Sequence, residues 1–93
     1  MYIVGVEFDW DSQNLKHIAR HRVSAAEAEQ SLRNDPLVVQ FQDHAGEERV
    51  LCLGQTDRGR LPAVVHVERG RTIPVITAYP MSRRQQEIYF RER

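Results

Sequence analysis

Two imidazoles about one helical turn apart are the side chains of this sequence best suited to chemistry. Asn14, His17 and His21 recur at i, i+3 and i+7. At about 100° per residue they fall on one narrow stripe of a helix. Imidazole exchanges protons near neutral pH, so two rings held on one element could act as general base and general acid. The i, i+4 spacing of the pair also suits a metal. However, Lys16 and Ile18 stand where a zinc hydrolase would carry its glutamate, and no third ligand is spaced to match. No metal and no other cofactor is therefore expected. A plainer reading stays open from this segment alone: a surface helix with two solvated histidines.

The elements that must position this pair can be read from local signals. Tyr2–Phe8 is β-branched and aromatic and reads as a first strand. Asp11 or Ser12 can cap a helix running to Arg20 or His21, with Leu15, Ile18 and Ala19 as its core-facing stripe. Ser24-Ala25-Ala26-Glu27 is a capping box, and the helix it opens should stop near Asn34, ahead of Asp35-Pro36. Four strand-like runs follow: Leu37–Phe41, Arg49–Leu53, Leu61–Val67 and Thr72–Ala78. Short glycine-containing connectors join them, which predicts an antiparallel meander. Ser82-Arg83-Arg84-Gln85 opens a last helix, Arg83 to about Arg91. The expected fold is α+β, ordered β-α-α-β-β-β-β-α, with a mainly antiparallel sheet and the first two helices on one face.

With 93 residues and 41% hydrophobic content the chain suits one domain, 1–93, with one modest core. The single cysteine, Cys52, lies in the apolar run Val50–Leu53 and is expected to be a buried, inert thiol. His66, among Val64, Val65 and Val67, is expected to be a hydrogen-bonded, half-buried ring rather than a catalyst. A lone cysteine, no secretory pattern in the acidic stretch up to Trp10, and no run of the ~20 apolar residues that span a membrane point to the cytoplasm. Net charge is zero, yet all basic residues except Lys16 are arginine, and nine of them fall in residues 47–93. Arginine grips phosphate or carboxylate with a planar fork. The bias hints at phosphate contacts or an acidic partner, although a GC-rich coding sequence would produce it too.

The ordered landmarks resemble the BrnT-type toxins of bacterial type II toxin–antitoxin systems, small ribonucleases with a RelE-like fold. They are Phe8-Asp9-Trp10-Asp11, Asn14-Leu15-Lys16-His17, Arg20-His21-x-Val23-Ser24-x-x-Glu27-Ala28 and Asp35-Pro36-Leu37. Gly46-Glu47-Glu48-Arg49, Gly54-Gln55-Thr56, Gly59-Arg60-Leu61, Val64-Val65-His66, Val75–Ala78, Met81–Arg84 and Tyr89 complete the series. The resemblance implies metal-independent RNA cleavage, with His17 and His21 moving protons and Arg49 and Arg83 on the phosphate. It further implies RNA contacts from Lys16, Arg60 and Arg84, and a protein antitoxin whose acidic segment could cover the basic patches. Trp10 would close the core beneath the first helix or stack on a base. Tyr89 would either pack in the core or send its hydroxyl to the site. Two positions depart from the family pattern. Arg22 replaces a helix-ending glycine, and Tyr79 stands where the sheet typically ends in arginine, a natural phosphate binder; as a site residue Tyr79 would donate one uncharged hydrogen bond to the phosphate, more weakly than an arginine. The Tyr79 departure keeps a second reading open, a degenerate domain that binds RNA or protein without cutting. A third is a small domain that sequesters an unrelated protein.

Overall fold

A computed structural model describes residues 7–92. The elements are β1 (Glu7–Asp9), α1 (Ser12–Arg20), α2 (Ala25–Arg33), β2 (Leu37–His44), β3 (Glu47–Leu53), β4 (Pro62–His66), β5 (Thr72–Pro80) and α3 (Arg83–Glu92). They form an α+β fold around a five-stranded sheet ordered β1-β5-β4-β3-β2. Only the β1–β5 pair is parallel. Of the expected first strand, Glu7 and Phe8 are seen in β1, and the part before Glu7 lies outside the described residues.

Local chemistry sets the helix starts. The Asp11 carboxylate accepts the Asn14 backbone N–H at 2.7 Å, so Asp11 rather than Ser12 caps α1. Ser24 and Glu27 close a reciprocal capping box on α2, and Ser82 and Gln85 do the same for α3. Each such cap is worth about 1 kcal/mol.

The sheet has two apolar faces. On one, Ile18, Val23, Ala28 and Leu32 from the α1–α2 region pack with Val50, Cys52, Val64, Ile73, Val75 and Ala78. On the other, Tyr89 of α3 packs with Leu53, Ala63 and Met81, flanked by Leu51, Val39 and Tyr79. Each large buried aliphatic side chain stabilises the fold by about 1.5–3 kcal/mol. The expected apolar stripe of α1 is narrower than its sequence suggests. Ile18 is buried, but Leu15 is 39% exposed and Ala19 is also exposed. The helix meets the sheet chiefly at β5, so one turn reaches the core and its neighbours stay wet. At the end of β3, a Cβ on Gly54 would lie 2.5 Å from the Ser31 carbonyl oxygen of α2. Only glycine lets the helix backbone come this close.

Two β-bulges decide which side chains reach which face. In β2, Val38 pairs Cys52 but Gln40, not Val39, pairs Leu51. In β5, Val75 pairs His66 and Thr77 pairs Val65, which leaves Ile76 as the extra residue. Strict alternation from Val75 would turn Thr77 and Tyr79 into the core of Ile18, Ala28 and Leu32. The bulge turns them out of that core instead, Thr77 to an opening beside α1 and Tyr79 against the α3-side core.

The end of α1 is a Schellman motif. The Val23 N–H reaches the Ile18 carbonyl at 3.2 Å and the Arg22 N–H reaches that of Ala19 at 3.0 Å. Ile18 and Val23 also share the core. The motif needs a left-handed residue between them, and Arg22 supplies it at φ 61°. An L side chain there costs roughly 1 kcal/mol relative to glycine. Arg22→Gly is therefore expected to raise the melting temperature by about 4–8 °C, since 1 kcal/mol has that effect in a domain of this size. An unchanged or lower midpoint in thermal denaturation would contradict it. The hydrogen bond that the Arg22 carbonyl accepts from Arg60 is a main-chain contact and survives the substitution.

Candidate active site

A cleft of about 850 Å³ opens between α1 and the sheet, lined by Ser12, Gln13, Asn14, Lys16, His17 and Arg20 of the helix with Arg49, Ile76 and Thr77 of the strands. The helix turns the positions 13, 16, 17 and 20 into it, so Lys16 and Arg20 stand beside His17. The lining thus differs from the stripe read from Asn14, His17 and His21: it takes in Lys16 and leaves out His21, which reaches the site only through the His17 ring. Arg20 and Thr77 were missed from sequence alone. Arg20 follows the same i, i+4 step from Lys16 that His21 follows from His17, and that was the available signal.

His17 and His21 meet edge to face with ring centroids 5.1 Å apart. His21 in turn stands 6.3 Å from the Tyr79 ring, and the Tyr79 hydroxyl accepts a hydrogen bond from Gln85 Nε2 at 3.1 Å. α1, β5 and α3 therefore converge through one row of rings: His17, His21, Tyr79.

The cleft is electropositive and unsatisfied. Lys16, Arg20 and Arg49 have no carboxylate partner among the described residues. Arg49 Nε and Thr77 Oγ1 are both buried and have no hydrogen-bond acceptor or donor opposite them. Buried polar groups are nearly always paired, so two orphans in one cleft call for a ligand oxygen.

The other basic residues named from sequence are placed differently. Arg60 is committed to the Glu27 carboxylate at 2.7 Å and to the Arg22 carbonyl at 3.0 Å, so it ties the end of α1 to α2. The Ser24 backbone N–H, then the Arg60 guanidinium, hold the Glu27 carboxyl below its ordinary range. Arg83 and Arg84 are exposed at the start of α3, and Arg84 lies 3.9 Å from Glu87. Neither lines the α1 cleft. Trp10 packs against the helix-side core and donates its indole N–H to Glu29 at 2.8 Å, and Tyr89 is fully buried. Both have the packing role. Among the described residues no three His, Cys, Asp or Glu side chains gather as metal ligands.

One further pair of titratable side chains is closed off from solvent. Cys52 Sγ and His66 Nε2 lie 3.3 Å apart inside the helix-side core. Burial pushes the Cys52 thiol up to about 12, which leaves it protonated and inert. Burial also lowers the His66 pKa. An unfolded imidazole titrates near ~6.5, so below that pH the unfolded chain binds a proton the folded ring refuses. This contribution to stability is full above ~6.5 and shrinks as the pH falls through that value towards the folded pKa. Melting temperatures between pH 7.5 and 5 should fall for the wild type and fall less for His66→Leu. Parallel profiles would exclude His66 as the source.

The family described as ribonuclease toxin, BrnT, of type II toxin–antitoxin system matches residues 10–85. The chain belongs to the BrnT family. The crystal structure of the Brucella abortus ribonuclease toxin BrnT superimposes with a TM-score of 0.62 at 23% identity, over 84% of this chain and 99% of that one. Its fold is therefore shared. No curated protein matches the sequence. Membership in a type II system implies a protein antitoxin as partner. No helix among the described residues is long and apolar enough to cross a membrane. The two departures from the BrnT pattern now have places. Arg22 carries the left-handed cap of α1, and Tyr79 stands at the end of the ring row.

Proposed function

We propose that this chain is a single-domain, RelE-like endoribonuclease that acts without metal in the α1 cleft and is silenced when its antitoxin covers that cleft. One observation carries the reading: His17, with His21 against its ring, lines a basic cleft in which Arg49 Nε and Thr77 Oγ1 lack partners. One imidazole takes the proton of a ribose 2′-hydroxyl as the 2′-oxygen attacks phosphorus. The bond from phosphorus to the 5′-oxygen breaks, and the other imidazole protonates that oxygen. The products are a 2′,3′-cyclic phosphate and a 5′-hydroxyl. Arg49, with Lys16 and Arg20 nearby, balances the charge that grows on the phosphate. RNA as substrate places the work in the cytoplasm.

A second reading, a binding module that no longer cuts, draws on Tyr79, whose hydroxyl is held by Gln85 and carries no charge. The purified protein incubated with RNA decides between them. Wild type should cut in the presence of EDTA and stop on addition of the protein encoded beside it. An inert wild type that gains cleavage with Tyr79→Arg would replace the first reading by the second. An inert pair would refute cleavage altogether.

A further inference from the structure

Arg49 belongs to two cavities. Besides the α1 cleft, it borders a smaller hollow of about 150 Å³ on the α3 face of the sheet. Gln40 and Gln42 of β2, Leu51 of β3, Val65 of β4 and Tyr79 of β5 form its walls. Register explains the grouping, since Gln40 pairs Leu51, Gln42 pairs Arg49 and Leu51 pairs Val65. The bulge after Val38 is what brings Gln40 to this face, because alternation from Val38 would turn it towards α1 and α2.

The hollow combines an apolar floor, an aromatic wall and two amides. Leu51 and Val65 supply the floor. Tyr79 supplies a ring whose hydroxyl Gln85 holds in place. The side-chain amides of Gln40 and Gln42 make no hydrogen bond among the described residues, and both are exposed. Unstacked RNA bases are recognised by stacking on aromatic rings and by hydrogen bonds to their polar edges. A glutamine amide presents a donor beside an acceptor. On the base edge that carries N7 this matches adenine, whose N6 amino group lies beside the N7 acceptor, and mismatches guanine, whose O6 and N7 both accept; it is through this edge that the amides can tell the two apart. The volume admits one planar heterocycle.

We propose that this hollow is the base-reading subsite of the enzyme and that Gln40 and Gln42 select adenine over guanine beside the scissile phosphate held by Arg49. The proposal rests on the α1 cleft being the RNA-cleaving site, and its test separates the two. Short RNAs carrying A, G, C or U on either side of one cleavage position give the preference as kcat/KM. Wild type should favour adenine over guanine at one of the two positions by about 10-fold or more, in line with a bidentate amide contact. Gln40→Ala with Gln42→Ala should bring that ratio close to one. A wild type without base preference, or a preference that the double variant keeps, overturns the subsite. If wild type cuts none of these RNAs, the same oligonucleotides are compared by fluorescence anisotropy. Tighter binding of the adenine strand, lost in the double variant, then supports the subsite although cleavage has failed. Equal binding of the adenine and guanine strands overturns it.

Discussion

Alanine at His17 or at His21 is expected to slow RNA cleavage by about 100-fold or more, the usual loss when a general acid or base is removed. Both rings are exposed, and neither is part of the cores that hold α1. The substitutions should therefore leave the melting temperature within about 2 °C, because both side chains are exposed and His21, the C-cap of α1, acts there through its backbone N–H, which alanine keeps. A cleavage assay paired with thermal denaturation reads both quantities. Undiminished cleavage by both variants would remove the histidines from the mechanism. A loss accompanied by unfolding would assign His17 and His21 to stability instead. The double variant should lose little more than the worse single one, since two groups that act in one step are strongly non-additive.

Arg49→Ala should cost about 100- to 1,000-fold in cleavage, the range seen when a charge-stabilising donor is removed from a developing oxyanion. Its effect on stability should be the reverse of a structural arginine's. Arg49 Nε is buried without a partner, and no carboxylate pairs with its guanidinium among the described residues. Removing an unsatisfied group relieves a desolvation cost of about 1–3 kcal/mol, so the melting temperature should hold or rise. Arg49→Lys keeps a charge but loses the planar fork and its Nε donor. It should recover only part of the rate. An Arg49→Ala protein that cuts at the wild-type rate would overturn the phosphate role. One that is destabilised while still cutting would make Arg49 a structural residue.

Much of the architecture was legible because its signals are local. Asp11, Ser24 with Glu27, and Ser82 with Gln85 mark helix starts within a turn of the residues they cap. Strand β2 ran on to His44, three residues past the expected end at Phe41. Gln42, Asp43 and His44 give no apolar pattern, yet they pair with Glu47–Arg49 across a tight turn with positive φ at both Ala45 and Gly46. The α1 stripe was harder to read. Periodicity fixes which residues share a face but not where the sheet ends beneath them, so Leu15 and Ala19 were read as inward. The histidine pair was visible from spacing alone. Its meeting with Tyr79, and the place of Thr77 beside Arg49 in the cleft, depend on the bulge in β5, which like the one in β2 falls in an apolar run that gives no hint of an extra residue.

Those bulges have a consequence for how such a sheet can change by mutation. In β5 the phase of every side chain after Ile76 is set by one extra residue. Substituting Ile76 alters a contact. Deleting it would shift the reading of the strand, turning Tyr79 and Thr77 into the core and Ala78 outward. The same holds for Val39 in β2, on which the outward aim of Gln40 depends. The chemistry of the α3 face is thus stored in the lengths of two strands as much as in the identities of their residues. Among relatives of this chain, single-residue insertions and deletions should collect in the hairpin loops and avoid the stretches 38–42 and 75–79.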